Sequence, residues 1–113
     1  MTGEDFRRMV LGLDGAIEKS HMGHPDFRVN GRIFATLDAT EQWGVVMLSP
    51  PEQREFLRAS KKVFVPAAGA WGRQGCTRIH LADADEARVR SAVVLAWETK
   101  VKMPAPRARK KKT

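Results

Sequence analysis

The sequence predicts an α+β domain, in which a mainly antiparallel sheet carries three helices packed on one face, in two layers. Two observations predict it. Apolar residues recur at helical spacing near both ends of the chain and once in the middle, with alternating stretches between them. An Asn-Gly dipeptide joins two of these alternating stretches, as in a tight β-hairpin. Because three helices cannot cover both faces of the sheet, the other face is expected to stay partly exposed.

The first predicted helix covers about residues 3 to 13. Thr2, followed three residues later by Asp5, resembles the capping box that begins many helices. Gly12 and Gly15 bracket the end of the helix, as a C-terminal stop does. The apolar residues between these signals recur at helical spacing: Phe6, Met9, Val10 and Leu13.

A meander of strands is predicted next. Asn30-Gly31 is the strongest local signal, because both central residues of the favoured two-residue hairpin turn need a positive φ. This turn joins strands at residues 26–29 and 32–37. Further strands are predicted at residues 16–21, before the hairpin, and at residues 43–48, after it.

A second helix is predicted from the segment Ser49-Pro50-Pro51-Glu52. Serine is a good N-cap, proline fits the first helical turn, and Glu52 stands at the third helical position. The helix is expected to run to about Ala59 and to bury Phe56 and Leu57.

The last third of the chain is predicted to contain two strands, a glycine-rich loop and a final helix. The strands cover residues 61–66 and 77–81, and the loop between them covers residues 67–75. Asp83 with Glu86 is expected to cap the final helix, which ends near residue 102. Its apolar stripe, which is expected to dock on the sheet, consists of Val89, Ala92, Val93, Ala96 and Trp97.

Length and composition limit the classes of protein to which the chain belongs. With 113 residues it makes one domain, predicted at residues 1–102. No apolar run is long enough for a membrane span, and the N-terminus is acidic and amphipathic rather than a secretory signal, so a cytoplasmic protein is expected. Cys76 is the only cysteine, which excludes an intrachain disulfide and a cysteine-based zinc cluster.

The positive charge is concentrated at the C-terminus. Of the net charge of +7, residues 103–113 hold +5 and the predicted domain only +2. The tail is expected to be disordered, because it cannot bury enough apolar surface to offset the entropy of ordering. A pI near 10.2 is typical of nucleic-acid binding, although short basic tails also occur as simple solvated chain ends. The basic residues of the tail are Arg107, Arg109, Lys110, Lys111 and Lys112.

Catalytic and metal sites are not predicted. Cys76 stands in no catalytic motif, and the acidic residues cluster in the first turns of the predicted helices, where they cap. His21, His24 and Asp26, together with His80 or Cys76, contain enough ligand types for a metal, but a turn with hydrogen bonds to the backbone explains the segment equally simply. The glycine-rich loop leads into a strand, whereas a phosphate-binding loop leads into a helix. We therefore expect no enzyme, no cofactor and no metal.

Two surfaces have the composition of a nucleic-acid interface. If Ile33, Ala35, Leu37, Ile79 and Leu81 point at the helices, alternation places a second set on the open sheet face: Arg28, Arg32, Phe34, Arg78 and His80. Ordinary exposed antiparallel faces also look like this. In the loop, Trp71 is suited to stack on a base while Arg73 holds a phosphate, unless Trp71 folds back on the core.

Four segments together resemble the MmcQ/YjbR family of small bacterial proteins, and the similarity covers about residues 1–100. They are GHPDFRVNGRIFATL at residues 23–37, residues 43–48 before the proline-started helix, FVPAAGAWGRQGCTRIHL at residues 64–81 and AVVLAW at residues 92–97. The resemblance implies an α+β fold with helices on one side of an antiparallel sheet. It also implies DNA binding by paired strand-and-loop wings and no agreed catalytic residues. The matched positions for which the resemblance implies a contact role are Arg32 and Arg73.

The predicted function is non-enzymatic DNA binding of low specificity, mainly through phosphate contacts. No recognition helix is apparent, because the final helix needs its apolar stripe for the core. Besides the five basic residues of the tail, the predicted contact residues are Arg28, Arg32, Phe34, Trp71, Arg73, Arg78, Lys100 and Lys102. The alternative is a protein-interaction module that docks a peptide or a second copy of the chain, as a homodimer, without any nucleic-acid role.

Overall fold

The computed structural model describes residues 1–21 and 23–104, apart from the side chain of His21. Its helices are α1 (Gly3–Leu11), α2 (Pro50–Ala59), α3 (Gly69–Arg73) and α4 (Glu86–Lys102), with a 3-10 turn at Leu81–Asp83. Its strands are β1 (Ile17–His21), β2 (His24–Val29), β3 (Arg32–Leu37), β4 (Trp43–Met47), β5 (Phe64–Pro66) and β6 (Cys76–His80). None of the described helices has the length and apolarity that crossing a membrane requires.

The strands form one sheet in the order β1-β2-β3-β4-β6-β5, and every neighbouring pair is antiparallel. The predicted hairpin between β2 and β3 is confirmed, since Asn30 and Gly31 have φ angles of 56° and 77°, as a type I′ turn requires. Because successive strands alternate in direction, β3 and β6 begin at the same end of the sheet at which β4 ends. We call this the hairpin end.

The three longer helices pack on one face of the sheet, as predicted. An added Cβ at Gly44 of β4 would lie 2.9 Å from the ring of Phe6, which places α1 against this face. Shallow grooves separate α4 from α1 on one side and from α2 on the other, so α4 lies between them. The predicted stripe of α4 is buried at Val89, Ala92, Val93 and Ala96, while Trp97 is partly buried. The α+β, two-layer fold class is therefore confirmed.

The helix starts are set by local hydrogen bonds. The capping boxes of Thr2 with Asp5 and of Ser49 with Glu52 are both present. The predicted cap of the last helix is wrong by two residues: Asp85 is the N-cap and accepts the Arg88 N–H. Asp83 belongs to the 3-10 turn, where its carboxylate contacts His80 instead.

Candidate nucleic-acid interface

The glycine-rich segment before β6 presents an aromatic and a basic side chain to solvent. The sequence predicts a loop here, but Gly69–Arg73 form the short helix α3. It is a single turn closed by backbone hydrogen bonds, with no side-chain cap that would signal it in the sequence. Trp71 is 68% exposed, so the alternative in which it folds back on the core is wrong. Arg73 is also exposed, and no ion pair involves it within the part of the chain that the structure describes.

A buried side chain of α2 holds α3 in place. The Gln53 amide nitrogen lies 3.0 Å from the Gly72 carbonyl, 3.1 Å from the Cys76 carbonyl and 3.2 Å from the Thr77 hydroxyl. Thr77 in turn donates to the Gly75 carbonyl at 2.8 Å. The Gly72 and Gly75 carbonyls, which lie before β6, each accept a side-chain hydrogen bond in this way. The backbone under Trp71 is consequently fixed by hydrogen bonds rather than by burial of the tryptophan.

Replacing the buried glutamine tests this support. Gln53→Leu should lower the free energy of unfolding by about 1–3 kcal/mol, because buried acceptors lose one of their donors while the volume is nearly kept. Urea denaturation measures it. The matched control is Gln42→Leu, at an exposed glutamine, which should cost about 0.5 kcal/mol or less. Equal losses in the two variants would contradict a structural role for the Gln53 amide.

A groove of about 460 Å³ lies beside Trp71 at the hairpin end of the sheet. Strand residues supply most of its apolar wall, and α4 closes it with two residues of its last turns. The lining residues include Ile33, Met47, Leu48, Trp71, Cys76 and Lys100. Burial raises the pKa of the half-buried Cys76 thiol, so this side chain is a protonated, weakly reactive part of the wall.

The end of α4 brings further basic residues to the same place. Lys100 and Lys102 stand in its last turn, where the helix dipole favours cations. The chain then passes the hairpin turn, where the Asn30 amide donates to the Met103 carbonyl at 2.6 Å and the Arg32 guanidinium donates to the Pro104 carbonyl at 3.1 Å. The first two residues of the predicted tail are thus bonded to the domain.

We call the set Arg32, Arg73, Lys100 and Lys102, together with the exposed Trp71, the basic end. None of its four cations takes part in an ion pair with a described carboxylate. The other predicted contact residues of the tail, namely Arg107, Arg109, Lys110, Lys111 and Lys112, lie outside the described residues. They follow Pro104 in the sequence.

Arg28 lies outside this set and is already paired. Its Nε donates to the carboxylate of the buried Asp26 at 2.8 Å, and this hydrogen bond raises the pKa of the arginine. A phosphate would have to displace the Asp26 carboxylate from Arg28. Such a displacement is unfavourable, because the buried carboxylate would lose this cationic partner. The structure thus places Arg28 in an internal ion pair of β2, although it lies close to Arg32 in the hairpin.

Arg78 occupies the open sheet face, but in a different environment from the one predicted. Its guanidinium lies 4.0 Å from the ring centroid of Trp43, which in turn packs on His80 with centroids 4.7 Å apart. β6 is separated from β2 by two strands, so Arg78 and Arg28 stand about 14 Å apart across the sheet. The arginines of the open face therefore do not form one patch. Sequence reasoning missed Trp43, because its pairing with β6 depends on strand order.

Phe34 requires a correction. It was predicted on the open sheet face as a stacking residue, but it is completely buried in the core. The reason is a β-bulge: Phe27 pairs with Ala35 and Arg28 pairs with Ile33, which leaves Phe34 without a partner on β2 and breaks the alternation of β3. Phe34 and Ala35 are consecutive buried residues, and Ile33 is only half-buried. Phe34 is unable to stack on a ligand.

Two of the histidines considered as metal ligands, His24 and His80, do not come together in the described structure. His80 pairs with Asp83 at 2.9 Å at the end of β6, whereas His24 begins β2. Over residues 1–21 and 23–104, no three side chains of His, Cys, Asp or Glu are grouped as metal ligands would be. The geometry offers no assembled cation site there.

Comparisons with known proteins agree on the family and the fold. The model of the YjbR family matches residues 11–99. The crystal structure of the Deinococcus radiodurans protein DR2400, which carries the domain DUF419, is similar with a TM-score of 0.76 and 16% sequence identity. The similarity covers 89% of this chain and 79% of that one, and at this identity it shows the fold alone. Among curated proteins, none matches the chain.

Proposed function

The chain belongs to the YjbR family, and from that premise we propose that it is a non-enzymatic, cytoplasmic DNA-binding protein that holds the phosphate backbone with its basic end. Arg32, Arg73, Lys100 and Lys102 would contact phosphates directly, and the basic tail would add further contacts. Phosphate contacts carry no sequence information, so the binding would have low specificity.

The observation that carries this proposal is that four of the described cations without an ion pair lie together at one end of the domain. The other described cations without an ion pair lie elsewhere: Lys19, Arg54, Lys61, Lys62, Arg78 and Arg88. Five arginines form ion pairs with carboxylates: Arg7, Arg8, Arg28, Arg58 and Arg90. The cations of the basic end form none among the described residues, although they lie on three different elements. Free cations that converge on one end of a nearly neutral domain are available to a polyanion, whereas paired ones are largely neutralised.

The carboxylates at the opposite end of the sheet support the same orientation. They lie where β3 and β6 end, β4 begins and α4 begins: Asp38, Glu41, Asp83, Asp85 and Glu86. Because Lys61, Lys62 and Arg88 lie near the same end, it is only weakly negative, and it would attract a polyanion less than the hairpin end does. The C-terminus of α4, which is the negative pole of its dipole, lies at the hairpin end. The charges of Lys100 and Lys102 offset the partial negative charge there.

Neutralising two lysines of the basic end tests the proposal. The double variant Lys100→Ala, Lys102→Ala should weaken binding to a labelled random duplex about tenfold at low salt. It should also reduce the slope of log K against log salt by about 2, since each phosphate contact contributes about 0.9. Fluorescence anisotropy between about 50 and 200 mM salt measures both quantities.

The control is Arg88→Ala, which removes an exposed cation about 18 Å away on the same helix. It should leave the affinity within about twofold of that of the unaltered protein, because Arg88 lies in the first turn of α4, far from the basic end. Failure of the unaltered protein to bind any duplex at low salt would overturn the proposal.

The exposed Trp71 beside an apolar groove favours a second candidate, a protein-interaction module that docks a peptide or a second copy of the chain. Sedimentation velocity over a range of concentrations separates the two. A concentration-dependent dimer without any nucleic-acid binding supports the module.

A further inference from the structure

We propose that the groove beside Trp71 takes an unstacked nucleobase, so that the preferred partner is single-stranded DNA, or a duplex with unpaired bases, rather than an intact duplex. This inference rests on the proposed function, which needs only phosphate contacts. It adds a site for bases, with Trp71 as the stacking residue and Lys100 as the cation nearest to the phosphate of the bound nucleotide.

The first argument is the way in which Trp71 is presented. A tryptophan with 68% of its surface exposed gains little from folding. Its backbone is nevertheless held by the contact of the Gln53 amide with the Gly72 carbonyl and by the bonds of the Gln74 N–H to the Ala70 and Trp71 carbonyls. A solvent-facing indole on a fixed backbone is preorganised for stacking, because the backbone that carries the ring does not have to become ordered on binding. Stacking of a base on an aromatic side chain contributes about 1–3 kcal/mol and tolerates any base.

The second argument is the chemistry of the groove. Its volume of about 460 Å³ lies within the range of about 300–1,000 Å³ that is usual for small-molecule sites. Ile33, Met47 and Leu48 supply apolar contact for the flat face of a ring. Hydroxyl and amide side chains that suit the polar edge of a base also line the groove: Ser49, Gln74 and Thr99.

The third argument is charge complementarity at the rim. Lys100 lines the groove itself, and Arg73 stands two residues from Trp71 on α3. One nucleotide could therefore place its base in the groove and its phosphate on a free cation. An aliphatic peptide would satisfy the apolar wall but would leave these cations without a partner, which is why a nucleotide is the better occupant.

The preference for single strands follows from the accessibility of the base. In a duplex the base is stacked and paired, and extruding it costs a few kcal/mol. A single strand offers unstacked bases at little cost, so the stacking contribution appears in full in its affinity. An intact duplex is expected to bind through its phosphates alone.

The test distinguishes binding through bases from binding through phosphates. A labelled oligothymidine, an abasic strand of the same length and a matching duplex are titrated against the unaltered protein and against Trp71→Ala. The oligothymidine should bind the unaltered protein about tenfold more tightly than the abasic strand, which corresponds to about 1.4 kcal/mol. Trp71→Ala should abolish most of that difference and leave abasic binding unchanged, while Trp71→Phe should retain part of it.

A matched control removes an exposed apolar side chain without an aromatic ring. Val101→Ala, at a residue that is 42% exposed on α4, should leave the ratio of oligothymidine to abasic affinity unchanged. Equal binding of the two strands by the unaltered protein, or an equal loss for both strands in Trp71→Ala, would overturn the base site. Absence of binding to all three nucleic acids would instead overturn the proposed function.

A second measurement needs no substitution. Cys76 lines the same groove and is the only cysteine, so the rate of its alkylation by a small maleimide reports on the occupancy of the groove. Because burial raises the pKa of this thiol, the reaction is run at mildly alkaline pH. Oligothymidine should slow it severalfold and the abasic strand should not. Slowing by self-association at high protein concentration, without nucleic acid, would identify a second copy as the occupant and overturn the inference.

Discussion

Deletion of residues 105–113 is expected to weaken binding to duplex DNA by about a hundredfold or more at about 50 mM salt, which is the largest effect of any single change on binding. The segment carries five basic residues and no acid. If four or five of them contact phosphates, they contribute a slope of about −4 to −5 in log K against log salt, and the deletion should flatten the slope by that amount. Anisotropy titrations across a salt series measure it.

The deletion leaves the described part of the chain complete, including the bonds of Asn30 to Met103 and of Arg32 to Pro104. A variant with the same tail length, in which the five cations are replaced by serine, is the control for charge. It should lose as much affinity as the deletion, because counterion release depends on the cations and not on the chain. An unchanged slope in the deleted protein would show that the tail is inert and that the basic end acts alone.

The parts of the fold that depend on local interactions could be predicted from the sequence. The capping pair Thr2 and Asp5 and the dipeptide Asn30-Gly31 each determine a conformation through residues within three positions of one another. The bounds of β3 were predicted without error for the same reason, since the turn fixes where it begins. The arrangement of the three longer helices on one face was predicted both from the order of the elements and from the family resemblance, and the structure confirms it.

The errors arise where partners distant in sequence decide the outcome. The alternation along β3 alone places Phe34 on the open face. The bulge that buries Phe34 depends on the pairing of β3 with β2. The helix α3 has no capping side chain, so no local signal marks it. Asp83 and Asp85 are both reasonable caps, and the choice between them depends on the contact of Asp83 with His80.

The candidate site shows the same division. Trp71 and Arg73 were predicted from their composition, but their position beside Lys100 follows from tertiary packing. The role of Gln53 was missed, although one signal was present. It stands three residues before Phe56 and four before Leu57, and thus on the apolar face of α2, where a glutamine must be buried and bonded.

Replacing Gly75 by alanine is expected to cause the largest loss of stability among the single substitutions considered, about 4 kcal/mol. Gly75 has a φ of +110°, a conformation that alanine adopts only under strain. An added Cβ would also lie 1.9 Å from the Leu48 carbonyl oxygen, a backbone atom that cannot move without displacing the end of β4. Strain and collision both act on the folded state, and urea denaturation measures their sum.

The matched control is Gly12→Ala. Gly12 has a φ of −75°, and an added Cβ would meet its nearest neighbours at 3.5 Å, so alanine should be neutral or stabilising by about 0.4–1 kcal/mol. Gly75 connects α3 to β6, and its displacement also shifts the carbonyl that the Thr77 hydroxyl contacts in the network of Gln53. Gly75→Ala should therefore reduce the preference for base-containing strands at temperatures where the variant is still folded. A loss of stability within 1 kcal/mol of that in Gly12→Ala would show that the close contact with Leu48 relaxes at little cost, and that the support under Trp71 is less rigid than its hydrogen bonds indicate.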